Sequence, residues 1–345
     1  MLIANRYEGT GNASWGGMSE VHELIDRHLD REVVIKRMSQ SADSSRLVDE
    51  QKALLSLRAK HVVELLDIVH YDFLGRTETG LVLEKIEGSD LQEGEFPQYD
   101  LSYLKTLWQI ASGLADIHAA GVIHRDIKPG NARRDHMDVI KIFDFGLSRH
   151  AGVDDKTRSI AGTDGYMAPE LYSDRTVSFT KAVDVFAFGQ TALSLIDASS
   201  DYKGDIEARC NSTLANADPE MRAIILRCFS DQPSDRPAMD EIRNLISVRL
   251  LHNQHRANFY NPPDRYELNS GKKSISLKTP SGSISINYDG YRMTVGSVSG
   301  NVSINNRALS AGDEIVHSCV IIFRPDRYGY PASVPYDLSN PQVAI

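Results

Sequence analysis

The first quarter of the chain carries its apolar residues in short, β-branched runs. Three runs have strand length and are bounded by polar turns: 21–25, 32–38 and 81–83. Between the second and third runs, residues 46–57 place Leu47, Leu54 and Leu57 at helical spacing. The pattern predicts a strand-rich region with a single helix, up to about residue 86.

From residue 101 onward, apolar residues recur at the spacing of amphipathic helices. The stretch 101–120 has a continuous apolar face that includes His118, and Gly121 follows it as a typical helix end. The same period predicts three further helices, over 181–196, 219–229 and 239–251. This part of the chain is therefore predicted to be helical.

The pattern changes again after about residue 251. Residues 253–273 are polar and contain Asn-Pro-Pro-Asp at 261–264, which predicts a linker. Short alternating runs broken by Gly and Asn then predict a small all-β module over 274–336. Residues 337–345 are predicted to form a tail.

Composition sets limits on location and partners. The 345 residues leave room for two domains, and 41% apolar with 25% charged residues is typical of a soluble globular protein. The net charge of −9 gives no reason to expect a nucleic-acid partner, and the sequence has neither a bilayer-spanning apolar run nor a signal-peptide pattern. Three widely spaced cysteines without a CxxC motif favour buried thiols in a reducing compartment: Cys210, Cys228 and Cys319. We expect a cytoplasmic protein with no membrane or nucleic-acid partner.

The most informative chemistry lies in the loop His-Arg-Asp-Ile-Lys-Pro-Gly-Asn at 124–131, followed by Asp-Phe-Gly at 144–146. A carboxylate such as Asp126 can orient a hydroxyl and accept its proton, and a cation such as Lys128 can offset charge on a phosphate. Asn131 and Asp144 offer the hard oxygen ligands that Mg²⁺ prefers. The set predicts transfer of a phosphate from a nucleotide to a hydroxyl.

Residues of about 5 to 250 resemble a bacterial Ser/Thr protein kinase of the Hanks type, also called eukaryotic-like. The motifs that carry the resemblance follow the family's order: Val-Val-Ile-Lys at 33–36, Glu50, the loop 124–131, Asp-Phe-Gly at 144–146, Gly-Thr-Asp-Gly-Tyr-Met-Ala-Pro-Glu at 162–170, Asp-Val-Phe-Ala-Phe-Gly at 184–189 and Asp-Arg-Pro at 235–237. The resemblance implies an α+β, two-lobed protein-kinase-like fold over 1–252, with a β-rich N-lobe (about 1–86) and a helical C-lobe (about 87–252), plus the small all-β C-terminal domain.

The resemblance also implies roles for individual residues. Asp126 is expected to act as the catalytic base and Lys128 to stabilise transfer, while Lys36, held by Glu50, contacts the phosphates of ATP. Asn131 and Asp144 are expected to bind Mg²⁺, with Mn²⁺ as an alternative. The implied ATP-binding residues are Gly16, Gly17, Val21, Val34, Lys36, Leu83, Glu84, Ile86, Asp90 and Arg133. The implied structural residues are Glu170, Asp184 and Arg236.

Within that ATP site, two features depart from the family pattern. The phosphate-covering loop, Ser-Trp-Gly-Gly-Met-Ser-Glu-Val at 14–21, has Ser14 and Ser19 where the usual form has Gly. Arg133 stands where the family has an apolar residue under the adenine. Its stem can pack beneath the base with the guanidinium turned outward; alternatively, the local register differs or nucleotide affinity is modest. Asp90 is expected to reach the ribose, with Leu83 as gatekeeper and 84–86 as hinge.

The substrate and its regulation also follow from the resemblance. Lys128 together with Thr163 goes with transfer to Ser or Thr in protein substrates. Arg125 implies control by a phosphate on the activation segment, for which Thr157 and Ser159 are the nearest candidates.

The C-terminal module has a resemblance of its own. Residues 302–323 resemble the last strands of a forkhead-associated domain, a phosphothreonine-binding module, although the Gly-Arg and Ser-x-x-His residues of that family have no clear counterpart. The alternative is a small β module that docks on the kinase domain or on a partner. Three functions therefore stay open: an active Ser/Thr kinase, a nucleotide-binding kinase-like scaffold, and a phosphothreonine-binding adaptor. The first is favoured because every polar catalytic position is filled.

Overall fold

The computed structural model describes residues 2–15, 19–38, 45–73, 75–150, 162–172, 180–199, 204–325 and 329–339. The chain divides into two compact units, residues 1–246 and 247–344. The first unit contains a sheet-rich lobe followed by a helical lobe, and the second consists mainly of strands. Of the helices in the described part of the chain, none combines the length and the apolar character needed to span a bilayer.

In its described residues, the sheet-rich lobe has one antiparallel sheet and one helix. Its elements are β1 (Leu2–Ile3), β2 (Tyr7–Trp15), β3 (Ser19–Asp26), β4 (Arg31–Met38), α1 (Ser45–Leu55), β5 (Leu65–Phe73) and β6 (Arg76–Glu84). The strand order is β1-β2-β3-β4-β6-β5. The three predicted strands lie within β3, β4 and β6, and the predicted helix is α1. The sequence pattern misses β2 and β5, because polar residues interrupt their apolar runs, and it misses β1, which has only two residues.

The alternation of side chains along β4 determines where Lys36 points. Val33 and Ile35 are almost fully buried in an apolar cluster with Leu24, Val82 and other residues of the sheet. Successive side chains of a strand point to opposite faces, so burial of Val33 and Ile35 sends Lys36 to the other face of the sheet. The Lys36 side chain therefore points away from the apolar cluster that contains Val33 and Ile35.

The helical lobe contains five helices and short strands in its described part. Its elements are β7 (Gly88–Asp90), α2 (Leu101–Ala119), β8 (Val122–Ile123), β9 (Ala132–Asp135), β10 (Ile140–Ile142), β11 (Arg149–His150), α3 (Ala182–Ser194), α4 (Ile206–Thr213), α5 (Pro219–Arg227) and α6 (Met239–Leu250), with 3₁₀ turns at Pro129–Asn131, Pro169–Tyr172 and Pro233–Asp235. The strands form two small sheets, β10-β9-β7 and β11-β8. Helices α2, α3, α5 and α6 match the predicted ones to within two residues. Helix α4 is missed because its sequence has little apolar periodicity.

Helix α2 lies shortly before the loop 124–131 in the chain. Asp100 caps its first turn by accepting a hydrogen bond from the Tyr103 backbone N–H at 2.9 Å. The helix ends before Gly121, whose φ of 76° is a left-handed conformation that glycine adopts without strain. Strand β8 follows directly and leads into residue 124, the first residue of the loop 124–131.

In the residues that the structure describes, the second unit contains eight antiparallel strands. They are β12 (Ala257–Asn261), β13 (Asp264–Leu268), β14 (Ser274–Thr279), β15 (Gly282–Tyr288), β16 (Met293–Ile304), β17 (Arg307–Ala308), β18 (Cys319–Arg324) and β19 (Ala332–Leu338). Their order is β13-β12-β19-β18-β16-β15-β14, with β17 paired to β16. The first part of strand β16 pairs with β15 and its last part pairs with β18.

The predicted linker over 253–273 is wrong. Residues 257–268 form the hairpin β12–β13, and β12 pairs with β19. The segment looks polar because only alternate residues point inward, among them the fully buried Ala257, Phe259 and Leu268. The module therefore begins before residue 274. The predicted tail over 337–345 is also too long, because β19 runs to Leu338; residues 340–345 lie outside the described residues.

We expect the first unit to unfold more easily as the pH falls from about 7.5 to about 5.5. Burial lowers the pKa of His61 and of His124 below the ordinary 6.5. The folded unit therefore takes up protons at these two side chains at a lower pH than the unfolded chain does. Each histidine then lowers the free energy of unfolding by up to about 1.4 kcal/mol per pH unit.

Urea unfolding followed by tryptophan fluorescence measures this effect, because both tryptophans, Trp15 and Trp108, belong to the first unit. His61→Asn should reduce the difference between the two pH values. Equal unfolding midpoints for the unsubstituted protein at both pH values would contradict the expectation.

Candidate functional site

Lys36 lies between two carboxylates that come from different parts of the first unit. Its Nζ donates to Glu50 Oε1 at 2.8 Å and to Asp144 Oδ1 at 2.7 Å. The contact between Lys36 and Glu50 that the sequence predicts is present, and the contact with Asp144 is an additional finding. Helix α1 presents Glu50 on the same face as Leu47 and Leu54, three residues before it and four residues after it, and all three side chains are buried.

The electrostatics of this group keep Lys36 charged. Burial alone would lower the pKa of Lys36, but the neighbouring carboxylates of Glu50 and Asp144 raise it well above its ordinary value. For Asp144, burial acts to raise the pKa, and the charge and hydrogen bond of Lys36 outweigh it and bring the pKa below the ordinary value. The site therefore holds a cation and an ionised Asp144 side by side at neutral pH.

The loop 124–131 is fixed from below by Asp184 of α3. The fully buried Asp184 carboxylate accepts hydrogen bonds from the backbone N–H groups of His124 at 2.8 Å and Arg125 at 2.7 Å. His118 Nε2 lies 2.9 Å from the same carboxylate. Burial would raise the pKa of Asp184, but the hydrogen bond with His118 and the other contacts lower it. The predicted contact between Asp184 and the loop backbone is thus present.

Three polar side chains meet around the Asp126 carboxylate. Asn131 Nδ2 donates to Asp126 Oδ2 at 2.8 Å and to the Asp126 backbone oxygen at 2.7 Å. Lys128 Nζ lies 3.0 Å from Asp126 Oδ2. Thr163 donates its hydroxyl to Asp126 Oδ1 at 2.7 Å and accepts from Lys128 at 2.6 Å. The Asp126 carboxylate is therefore held in one orientation by three neighbours.

Asn131 and Asp144, the two predicted metal ligands, come from adjacent backbone segments. The Phe143 backbone N–H donates to the Asn131 backbone oxygen at 3.0 Å. Because the Asn131 amide nitrogen is bonded to Asp126, its side-chain oxygen points elsewhere and remains an acceptor. The Asp144 side chain is 47% exposed, so its carboxylate is accessible from solvent. Phe145, the next residue, is fully buried with its ring 4.7 Å from that of His124.

The predicted nucleotide pocket is partly described. Val34 and Leu83 are cross-strand partners on β4 and β6. Glu84 Oε1 accepts from the Glu64 backbone N–H at 2.8 Å and from Lys141 Nζ at 2.6 Å, which fixes the start of the predicted hinge. Val21 lies on β3, whereas Gly16 and Gly17 lie outside the described residues.

Arg133 is hydrogen-bonded to Asp90, the residue that the sequence analysis expects to reach the ribose. Its Nε donates to Asp90 Oδ1 at 2.6 Å, and its Nη1 lies 3.4 Å from the Ile86 backbone oxygen. The guanidinium carbon is 5.4 Å from the centre of the Phe143 ring. Asp90 and Arg133 are cross-strand partners on β7 and β9. The Arg133 guanidinium is thus paired with Asp90, a contact that the sequence analysis does not predict.

The segment before α3 is tied to the later part of the helical lobe. Arg236 donates to both oxygens of Glu170, at 2.7 and 2.8 Å, and its side chain is fully buried. This is the predicted contact between the two residues. Arg125 is buried, and its Nη1 lies 3.4 Å from the Leu147 backbone oxygen. Thr157 and Ser159 lie outside the described residues.

Besides the contacts of Lys36 with Asp144 and of Arg133 with Asp90, two further features of the site are missed by reasoning from the sequence. His118 contacts Asp184, and the only hint in the sequence is a histidine on the apolar face of a predicted helix. Arg149 donates to Asp49, the residue before Glu50, and no motif marks this ion pair.

Comparisons with known proteins agree with this geometry. A family model of the protein kinase domain matches residues 13–246. The chain is 30% identical over 274 residues to serine/threonine-protein kinase pkn3 of Myxococcus xanthus. The aligned region covers 69% of this chain and 49% of that protein. It is 31% identical over 213 residues to PrkC of Bacillus subtilis (59% and 32% covered) and 29% identical over 277 residues to PknL of Mycobacterium tuberculosis (77% and 63% covered). The chain spans less than two thirds of the length of each of these relatives.

The region matched by the family model contains all the groups whose contacts are described above. Lys36 and Glu50 lie near its beginning, Asp126 near its middle, Asp184 in its second half and Arg236 near its end. The match covers well over half of the 345 residues. The chain therefore belongs to the protein kinase domain family.

Proposed function

We propose that the chain is an ATP-dependent protein kinase that transfers the γ-phosphate to Ser or Thr hydroxyls of proteins. The observation that carries the proposal is the hydrogen-bonded group of Asp126, Lys128, Asn131 and Thr163. It combines a carboxylate, a cation and a metal-binding amide oxygen, which are the groups that phosphoryl transfer uses. The names of the relatives, all serine/threonine-protein kinases, support the same assignment.

Each side chain has a role that follows from its chemistry. Asp126 is positioned to orient the acceptor hydroxyl and to take its proton. Lys128 offsets negative charge on the transferred phosphate, and Lys36, held by Glu50, binds the remaining phosphates of ATP. The hydrogen bonds on Asp126 fix it before substrate arrives, so little reorganisation is needed during transfer.

The donor set fits Mg²⁺. Within the described ranges, no three His, Cys, Asp or Glu side chains gather as a metal cluster, so the metal would not be caged by protein ligands alone. Asn131 and Asp144 supply two hard oxygens, and Mg²⁺ in such sites takes its other ligands from phosphates and water. Bound there, the ion would neutralise charge on the nucleotide phosphates.

Thr163 supports the choice of acceptor. It connects Lys128 to Asp126 through two short hydrogen bonds, 2.6 and 2.7 Å. The link holds the lysine beside the carboxylate, where a small aliphatic hydroxyl would have to enter. Protein Ser and Thr side chains are therefore the proposed acceptors.

We also propose that a phosphate on the activation segment regulates the enzyme. Arg125 is buried next to the loop and carries a permanent charge that a phosphate can pair with. Thr157 and Ser159 are the proposed acceptors, and mass mapping of active protein tests them.

The adaptor alternative finds less support. The module has a cavity of about 180 Å³ whose lining includes Arg307 and His317, the residue types that recognise phosphate. However, Arg307 is bonded to Asp313 at 2.8 Å, and Glu314 also lines the cavity. These carboxylates oppose a dianionic ligand. We propose instead that the module docks on a protein partner.

Replacing Asp126 should abolish most of the transfer. With labelled ATP, Mg²⁺ and a generic basic protein as acceptor, Asp126→Ala is expected to lower kcat by about 100-fold to 10,000-fold, because the proton acceptor is lost. The exposed Asp231→Ala is a matched control that should retain activity. Equal labelling by the unsubstituted protein and Asp126→Ala would refute the catalytic assignment.

Arg133 should affect nucleotide affinity through its charge. In Arg133→Leu, the Asp90 carboxylate is left without its partner near an anionic ligand, so binding of Mg-ADP should weaken. Solvent screens this pair, since the side chains are 36% and 33% exposed, and the expected effect is roughly threefold to tenfold. Isothermal titration of ADP and of adenosine measures it.

The controls separate charge from packing. Arg133→Leu/Asp90→Asn should bind ADP about as well as the unsubstituted protein, because the repulsion is removed. Adenosine, which has no phosphate, should bind almost equally to all variants. Equal weakening of ADP and adenosine binding by Arg133→Leu would show that packing, and not charge, is the contribution of Arg133.

A further inference from the structure

An ion pair joins helix α1 to the strand that follows Asp-Phe-Gly. Arg149 of β11 donates from Nη1 to Asp49 Oδ2, and the same nitrogen lies 3.1 Å from the Ser148 backbone oxygen. Both side chains of the pair are 26% exposed, so the contact is partly shielded from water. Asp49 directly precedes Glu50, which holds Lys36. The ion pair therefore lies one residue from the contact that positions Lys36.

The backbone of Arg149 is paired with β8, the strand that leads into the loop 124–131. Strand β11 pairs with β8, and Arg149 lies opposite Ile123, the residue before His124. Arg149 is also close in sequence to Asp144. One residue thus has its backbone registered against the start of the loop and its side chain on α1.

The two carboxylates of α1 constrain different directions of the helix. Neighbouring side chains of an α-helix point about 100° apart around its axis. The hydrogen bond from Lys36 to Glu50 restrains the helix on one side of its axis. The hydrogen bond from Arg149 to Asp49 restrains it on another side. The buried leucines of α1 make non-directional contacts, whereas the two charged hydrogen bonds each specify a direction.

We propose that Arg149 is a positioning residue that sets the rotation of α1 through Asp49 and thereby presents Glu50 to Lys36. The inference rests on the proposed function, because it gives the pair a role in placing the ATP-binding lysine. Partly exposed ion pairs add little to overall stability, so the consequence should appear at the nucleotide site more than in unfolding.

Substitution of either partner tests the proposal. Asp49→Asn and Arg149→Gln are each expected to lower kcat/KM for ATP on the order of tenfold, since a small misplacement of a binding group is costly. The double variant Asp49→Asn/Arg149→Gln should have a kcat/KM for ATP no lower than that of the less active single variant. The reversed pair Asp49→Arg/Arg149→Asp should recover most of the loss, which a purely structural defect would not.

A double-mutant cycle with Glu50 tests whether the Asp49 substitution lowers kcat/KM by displacing Glu50. In a Glu50→Gln background, Asp49→Asn should lower kcat/KM no further, because the contact it protects is already broken. Arg227→Gln, which removes the exposed pair with Glu241, is the matched control and should leave kcat/KM unchanged. Normal activity of Asp49→Asn, or a further loss in the Glu50→Gln background, would overturn the proposal.

Hydrogen exchange of residues 45–55 gives a readout that does not depend on phosphate transfer. Exchange of these α1 amides should be faster in both single variants and should return towards the original rate in the reversed pair. If the unsubstituted protein transfers no phosphate, the proposed function fails while this measurement still tests the ion pair. Unchanged exchange in both single variants would refute the positioning role.

Discussion

Asp184 places a carboxylate in the interior of the helical lobe, and the shape of the loop 124–131 depends on how that charge is satisfied. The side chain is fully buried and is bonded by the backbone N–H groups of His124 and Arg125 and by the imidazole of His118. A buried charge without such partners would cost several kcal/mol, so folding itself requires these contacts. They hold Arg125 at a φ of 72°, a backbone conformation that residues with a β-carbon rarely adopt. The direction in which Asp126 leaves the backbone is therefore set by α3.

A second charge joins the two lobes. Lys36 comes from the sheet, Glu50 from α1, and Asp144 from the segment after β10, and the lysine is bonded to both carboxylates. Neither carboxylate could be moved away without leaving an under-compensated charge in a largely buried place. This interaction brings the proposed phosphate-binding lysine beside a proposed metal ligand. The Asp184 contacts and the Lys36 contacts together arrange the polar groups on which the proposed transfer depends.

The sequence predicts those parts of the molecule whose information is local or fixed by family motifs. Helix α2 follows a long apolar period and its bounds agree to within one residue, and the contact between Arg236 and Glu170 follows from motifs in the family's order. Strands β12 and β13 are missed because their inward residues alternate with polar ones on either side of a Pro-Pro turn. The pairs Arg133–Asp90 and Arg149–Asp49 join residues 43 and 100 positions apart, and no local pattern records which distant charges will meet.

The replacement of an apolar residue by Arg133 becomes understandable once its partner is known. Asp90 and Arg133 face each other across β7 and β9, a position where opposite charges stabilise a sheet. An arginine alone at this place would bring an uncompensated cation into the proposed base pocket, and an aspartate alone would bring an uncompensated anion to the proposed ribose position. Paired at 2.6 Å, the two form a unit with no net charge whose aliphatic parts remain able to support a base. The departure from the family pattern is therefore compatible with nucleotide binding because both residues are present, and neither position can be interpreted without the other.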